Sequence, residues 1–115
     1  MAFLDLFKSS KKSGPDASVL IQLRKVGSKL ALPHDIEFFL YFPSQTIAEQ
    51  AAEKIRAMGF EVKTNRAAQG DSWLCLATKR MTPDLQALQE IREAFTTLTA
   101  AVGGEYDGWG TEVVT

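Results

Sequence analysis

Residues 35–42 read Asp-Ile-Glu-Phe-Phe-Leu-Tyr-Phe, and they constrain the fold more than any other stretch. Successive side chains of a strand point to opposite faces. Ile36, Phe38, Leu40 and Phe42 therefore share one wholly apolar face, while Glu37, Phe39 and Tyr41 share the other. Aromatic and β-branched residues suit a pleated surface. Pro43, with no N–H to donate, closes the stretch. A strand with such a face belongs in a sheet that buries it against helices or a second sheet.

The flanking segments switch between helical and strand periods. Pro15-Asp16 reads as a first helical turn, with Leu20, Leu23 and Val26 at helical spacing and Gly27 as the stop. Residues 29–33 form a loop. Thr46-x-x-Glu49 has the form of a capping box. Behind it Ile47, Ala48, Ala51, Ala52, Ile55 and Met58 make an apolar stripe that ends at Gly59. Residues 60–65 alternate as a half-buried strand, and residues 69–72 read as a turn. Residues 73–78 are apolar on both faces, which predicts a central strand. Thr82-Pro83 opens a second helix with the stripe Leu85, Leu88, Ile91, Phe95, Leu98 and Val102, stopped by Gly103-Gly104. Residues 109–115 supply a last strand.

That order is a helix followed by β-α-β-β-α-β. It predicts an α+β fold of the ferredoxin-like split βαββαβ kind: a four-stranded antiparallel sheet with two helices on one face, preceded by an N-terminal helix. The sheet's second face then carries Phe39, Tyr41 and one side of residues 73–77 and is left for the leading helix or a partner.

The 115 residues suffice for one core and not for two. The reading is a single domain over residues 15–115, preceded by a segment, residues 1–14, that docks on the domain or stays flexible, with contact to a membrane surface as the less favoured alternative. In that segment Phe3, Leu4, Leu6 and Phe7 come before Lys8, Lys11 and Lys12. A secretory signal has its positive charge first and a longer apolar stretch, so secretion is not expected. No apolar run reaches membrane-spanning length. A single cysteine, Cys75, excludes an internal disulfide and fits a cytoplasmic protein.

Catalytic chemistry has few candidates. His34 is the lone histidine and reads as a surface-loop residue. Cys75 lies in an apolar run and reads as a small buried hydrophobe. Neither a metal-ligand spacing nor a phosphate-binding glycine loop is present, so the expectation is a non-enzyme with no cofactor. Glu105 and Asp107 share a strand face, but without a neighbouring histidine they read as turn and solvated acids.

The run Gly104-Glu-Tyr-Asp-Gly-Trp-Gly-Thr111 joins permissive glycines to two large aromatics. It resembles the C-terminal signature of the regulator of ribonuclease E activity B family. Met58-Gly-Phe-Glu-Val62 and the helix ending at Gly27-Ser28 also resemble that family, from about residue 15 to the C-terminus. The resemblance implies a ferredoxin-like α/β sandwich without catalysis, one that binds the ribonuclease E endonuclease and alters which RNAs it cleaves. Its well-known members are strongly acidic. This chain has a formal net charge of -1 and carries Lys8, Lys11, Lys12, Arg24, Lys25 and Lys29 toward its N-terminus.

The leading reading is a regulator acting through protein contact, with Glu105, Tyr106, Asp107, Gly108, Trp109, Phe39 and Tyr41 as candidate binding residues. The alternative within that run is that Tyr106 and Trp109 pack inside while Asp107-Gly108 turns. A second class is an RNA-binding module that stacks bases on Phe39, Tyr41 and Trp73. The third strand lacks the basic-Gly-aromatic pattern of such modules, and the near-neutral charge gives no electrostatic footprint for nucleic acid. A third class is a small-ligand or homodimerising domain on the same fold.

Overall fold

A computed structural model describes residues 15–68 and 70–115. Residues 1–14 and Gln69, and with them the reading of the N-terminal segment, lie outside the described residues. Among the described residues, three helices and four strands follow one another as α1 (Pro15–Lys25), β1 (His34–Phe42), α2 (Gln45–Ala57), β2 (Glu61–Arg66), β3 (Trp73–Met81), α3 (Leu85–Ala100) and β4 (Glu105–Gly110). The strands form one antiparallel sheet in the order β2-β3-β1-β4.

The alternation in β1 sets the core. Ile36, Phe38, Leu40 and Phe42 are all buried, and Glu37, Phe39 and Tyr41 are half-buried on the far side. Phe38 meets Phe60 and Phe95 edge-on at centroid distances of 5.5 and 5.7 Å, which places α3 over this face. Cys75 pairs with Leu40 across β1 and β3, and its thiol donates to the Ala48 carbonyl of α2 at 3.1 Å. Both crossover helices therefore cover the same face. Burial raises the Cys75 thiol to about 11, with the positive charge of Arg56 opposing, so it stays protonated and packs as a small hydrophobe.

Several expected boundaries move. The cap of α2 is Ser44, whose side chain accepts from the Ile47 amide at 3.2 Å; Thr46 lies inside the helix. Asp84, not Thr82, caps α3 by accepting from the Ala87 amide at 3.0 Å. Charge-assisted acceptance at the first turn favours the carboxylate there. The last strand covers Glu105–Gly110 and not residues 109–115. Met58, Leu85 and Val102, expected in buried stripes, are exposed at the helix ends.

Two further expectations are corrected. His34 is fully buried. Its Nδ1 donates to the Leu32 carbonyl at 2.8 Å, and its Nε2 shares a 2.7 Å hydrogen bond with the Ser28 hydroxyl. Ser28 Oγ in turn accepts from the Val114 amide at 3.0 Å, and Lys29 N–H donates to the Val114 carbonyl at 2.8 Å. His34 and Ser28 thus fasten Val114 to the loop before β1. A polar residue can sit in the interior once each of its atoms is paired.

The second correction concerns Trp73. The register pairs Trp73 with Phe42 and Leu74 with Tyr41. Trp73 therefore faces the core, where it packs against the buried cluster, and cannot join Phe39 and Tyr41. Leu74 and Leu76 stand beside those aromatics instead. The leading helix does not cover that outer face either: α1 lies against α3 and buries Val19 and Leu23 in the core.

Candidate functional site

The signature run turns inward through a bulge. Tyr106 and Trp109 are three positions apart, and plain alternation would aim them at opposite faces. Trp109 pairs with Phe38 and Tyr106 with Leu40, so Asp107 and Gly108 together oppose Phe39 alone. The extra residue resets the alternation, and both aromatics enter the core, Trp109 fully and Tyr106 with 5% exposure. Gly108 makes this possible with φ of 90°, a conformation that side chains with a Cβ resist. Gly104 meets a different demand. A Cβ there would stand 2.5 Å from the Tyr41 carbonyl oxygen.

Behind the bulge lies a charged cluster. Asp16, 2% exposed, accepts from Arg92 Nε at 3.0 Å and from Arg92 Nη2 at 2.9 Å. The same carboxylate accepts from the Trp109 indole N–H at 2.9 Å. One acid thus ties the first turn of α1 to α3 and β4. Arg92 also lies over the Tyr106 ring, 5.3 Å from its centroid. Burial pulls the Arg92 guanidinium down, but its hydrogen bonds and charge contact with Asp16 outweigh that and hold it above its ordinary value.

Tyr106 carries the exception in this cluster. Its hydroxyl is buried without a hydrogen-bond partner among the described residues. Burial raises the phenol well above its usual range, with Arg92 opposing and Asp16 and Asp107 adding to the rise. A buried hydroxyl without a partner costs about 1–3 kcal/mol. Tyr106→Phe is therefore expected to be neutral or to stabilise the fold by up to about 1 kcal/mol in urea denaturation. A loss above about 1 kcal/mol would show that the hydroxyl holds a partner.

The outer face has another character. Phe39, Tyr41, Leu74 and Leu76 are half-buried at its centre. Tyr41 pairs with Glu105, which puts the exposed Glu105 at the β4 edge of the same face. Asp107 follows it with the same parity, as the first residue of the bulge. Glu37 lies next along β1, and Asp35 forms an exposed ion pair with Arg80 at 3.2 Å. A cleft of about 280 Å³, lined in part by Asp35, Glu37, Arg80 and Glu112, continues this acidic side.

The candidate binding residues thus divide. Phe39, Tyr41, Glu105 and Asp107 belong to the outer surface, whereas Tyr106, Gly108 and Trp109 shape the strand from within. The Asp16–Arg92–Trp109 cluster escaped sequence reasoning because its members lie 76 and 93 positions apart. Asp16 read only as a helix-start acid. Among the described residues no group of three metal-ligating side chains comes together, and no helix is long and apolar enough to cross a membrane.

Fold and site define a small α+β domain in which a buried acid clasps a bulged edge strand, with a half-apolar sheet face outside that carries acids at its β4 edge. The chain belongs to the regulator of ribonuclease activity B family, whose sequence model matches residues 15–111. No individual curated protein matches it.

Proposed function

We propose that this protein regulates a ribonuclease of the ribonuclease E type by binding it, without catalysing a reaction itself. The match to a ribonuclease-regulator family over residues 15–111 carries this reading. The strand order β2-β3-β1-β4, with α2 and α3 crossing over one face, supports reading the fold as the ferredoxin-like split arrangement. That arrangement leaves one sheet face for contact.

The contact is assigned to Phe39 and Tyr41 with Glu105 and Asp107 at the β4 edge. Aromatics supply buried area, and the acids suit an arginine-bearing partner segment. Tyr106, Gly108 and Trp109 act behind them by holding the edge strand in its bulged form. The RNA-stacking alternative loses support, since Trp73 faces the core and acids border the remaining aromatics.

The test is co-purification with the ribonuclease E of the same source, together with its cleavage rate on a structured RNA. Binding and slowed cleavage are expected. Phe39→Ala with Tyr41→Ala should weaken binding by about 10-fold or more, as loss of anchor residues does. Absence of binding together with an unchanged rate removes the reading.

A further inference from the structure

We infer that the C-terminal half of α1 and the loop after it dock on an anionic lipid surface. Ile21, Val26 and Leu32 enter the headgroup region, and Arg24, Lys25 and Lys29 meet its phosphates. This contact is separate from the sheet face assigned above, so either reading can fail alone. Three observations combine.

The first is an uncompensated surface. Three of the six large apolar side chains exposed among the described residues are Ile21, Val26 and Leu32, at 56%, 50% and 41%. Residues 17–34 also hold Arg24, Lys25 and Lys29 and no acid. All three cations are exposed, and among the described residues none of them forms an ion pair. The dipole of α1 accounts for Arg24 and Lys25 in its last turn. It does not account for Lys29 beyond the helix, or for apolar side chains left in water.

The second is how the two kinds of residue alternate. Ile21 and Lys25 stand one turn apart, as do Gln22 and Val26, whose amide donates to the Gln22 carbonyl at 3.1 Å. Lys25 therefore separates the two apolar side chains. The centre of a protein–protein interface is depleted of charge, and of lysine in particular. Single-stranded nucleic acid calls for aromatic stacking, and residues 17–33 hold no Phe, Tyr or Trp. A lipid interface accepts the mixture, because lysine and arginine reach for the headgroups while apolar neighbours sink deeper.

The third is that the surface is already held in shape. Val19 and Leu23 anchor the inner side of α1 in the core. The Ser28 amide donates to the Leu23 carbonyl at 2.9 Å, the Lys29 amide to the Val114 carbonyl at 2.8 Å, and the Leu32 amide to the Lys29 carbonyl at 3.0 Å. Docking therefore costs little ordering of the backbone. Because α1 lies against α3, which covers the inner side of the sheet, this contact does not compete for the outer face. No described helix can cross a membrane, so the contact is peripheral and reversible.

The experiment sediments the full chain, without ribonuclease, with vesicles of phosphatidylcholine alone or mixed equally with phosphatidylglycerol. Partition into the mixed vesicles should exceed that into phosphatidylcholine and fall with salt. Arg24→Gln, Lys25→Gln and Lys29→Gln together should lower it by roughly fivefold per cation. Ile21→Ser with Val26→Ser should lower it by about 10-fold. All five positions are exposed, so an unchanged urea midpoint reports an intact fold. A polarity-sensitive dye on Val26→Cys should shift to the blue on mixed vesicles, and the same dye on Gln50→Cys of α2 should not. Cys75 is buried and stays unlabelled. Absence of partition at low salt overturns the inference. Equal partition of parent and variants also overturns it, because another part of the chain then holds the lipid. Dependence on the cations alone, with no effect of the serines and no dye shift, overturns it as well, since any polyanion would then serve.

Discussion

Asp16→Ala is expected to lower the free energy of unfolding by about 3–5 kcal/mol. The carboxylate is buried and satisfies three donors at once, two from Arg92 and one from Trp109. Its removal leaves a largely buried guanidinium and a buried indole N–H without that acceptor, and such uncompensated groups dominate the cost. Against a typical total of about 5–15 kcal/mol, the loss brings the fold near its margin. Urea denaturation should show a lower midpoint at unchanged slope. Asp16→Asn keeps one acceptor for the indole and should fall between parent and alanine variant. Asp16→Leu combined with Arg92→Met should recover part of the loss, since apolar replacement of both partners removes the orphaned charge. A cost below about 1 kcal/mol for Asp16→Ala would show that the cluster is decorative.

The elements themselves were legible because they depend on neighbours in sequence. The alternation of residues 35–42 and the helical stripe of residues 47–55 report local periods, and the structure keeps both. What the sequence hid depends on register and on distant pairing. Trp73 lies in a strand apolar on both sides, so its face follows only from its pairing with Phe42. His34 looked like a loop residue because its partners Ser28 and Leu32 carry no signature of their own. The bulge left one visible trace, a glycine between two aromatics spaced an odd number apart. Asp16 shows the general difficulty: the same acid suits a helix start and a buried ion pair, and only the fold brings Arg92 and Trp109 to it.

Trp109→Ala should cost about 3–5 kcal/mol, as large-to-small changes at buried aromatics do. The indole is fully buried opposite Phe38, on a strand whose bulge exists to turn it inward. Two losses contribute, the packed ring and its hydrogen bond to Asp16. Trp109→Phe separates them. It keeps most of the apolar contact and deletes the N–H, while Asp16 retains both Arg92 donors. Its expected cost is therefore smaller, about 1–2 kcal/mol. Residues within one network couple by about 0.5–3 kcal/mol, so Trp109→Phe in an Asp16→Ala background, which has no acceptor for the indole, should cost measurably less than in the parent. Strict additivity would mean that the 2.9 Å contact between indole and carboxylate carries no energy, leaving the ring's volume alone to hold α1 against the edge strand.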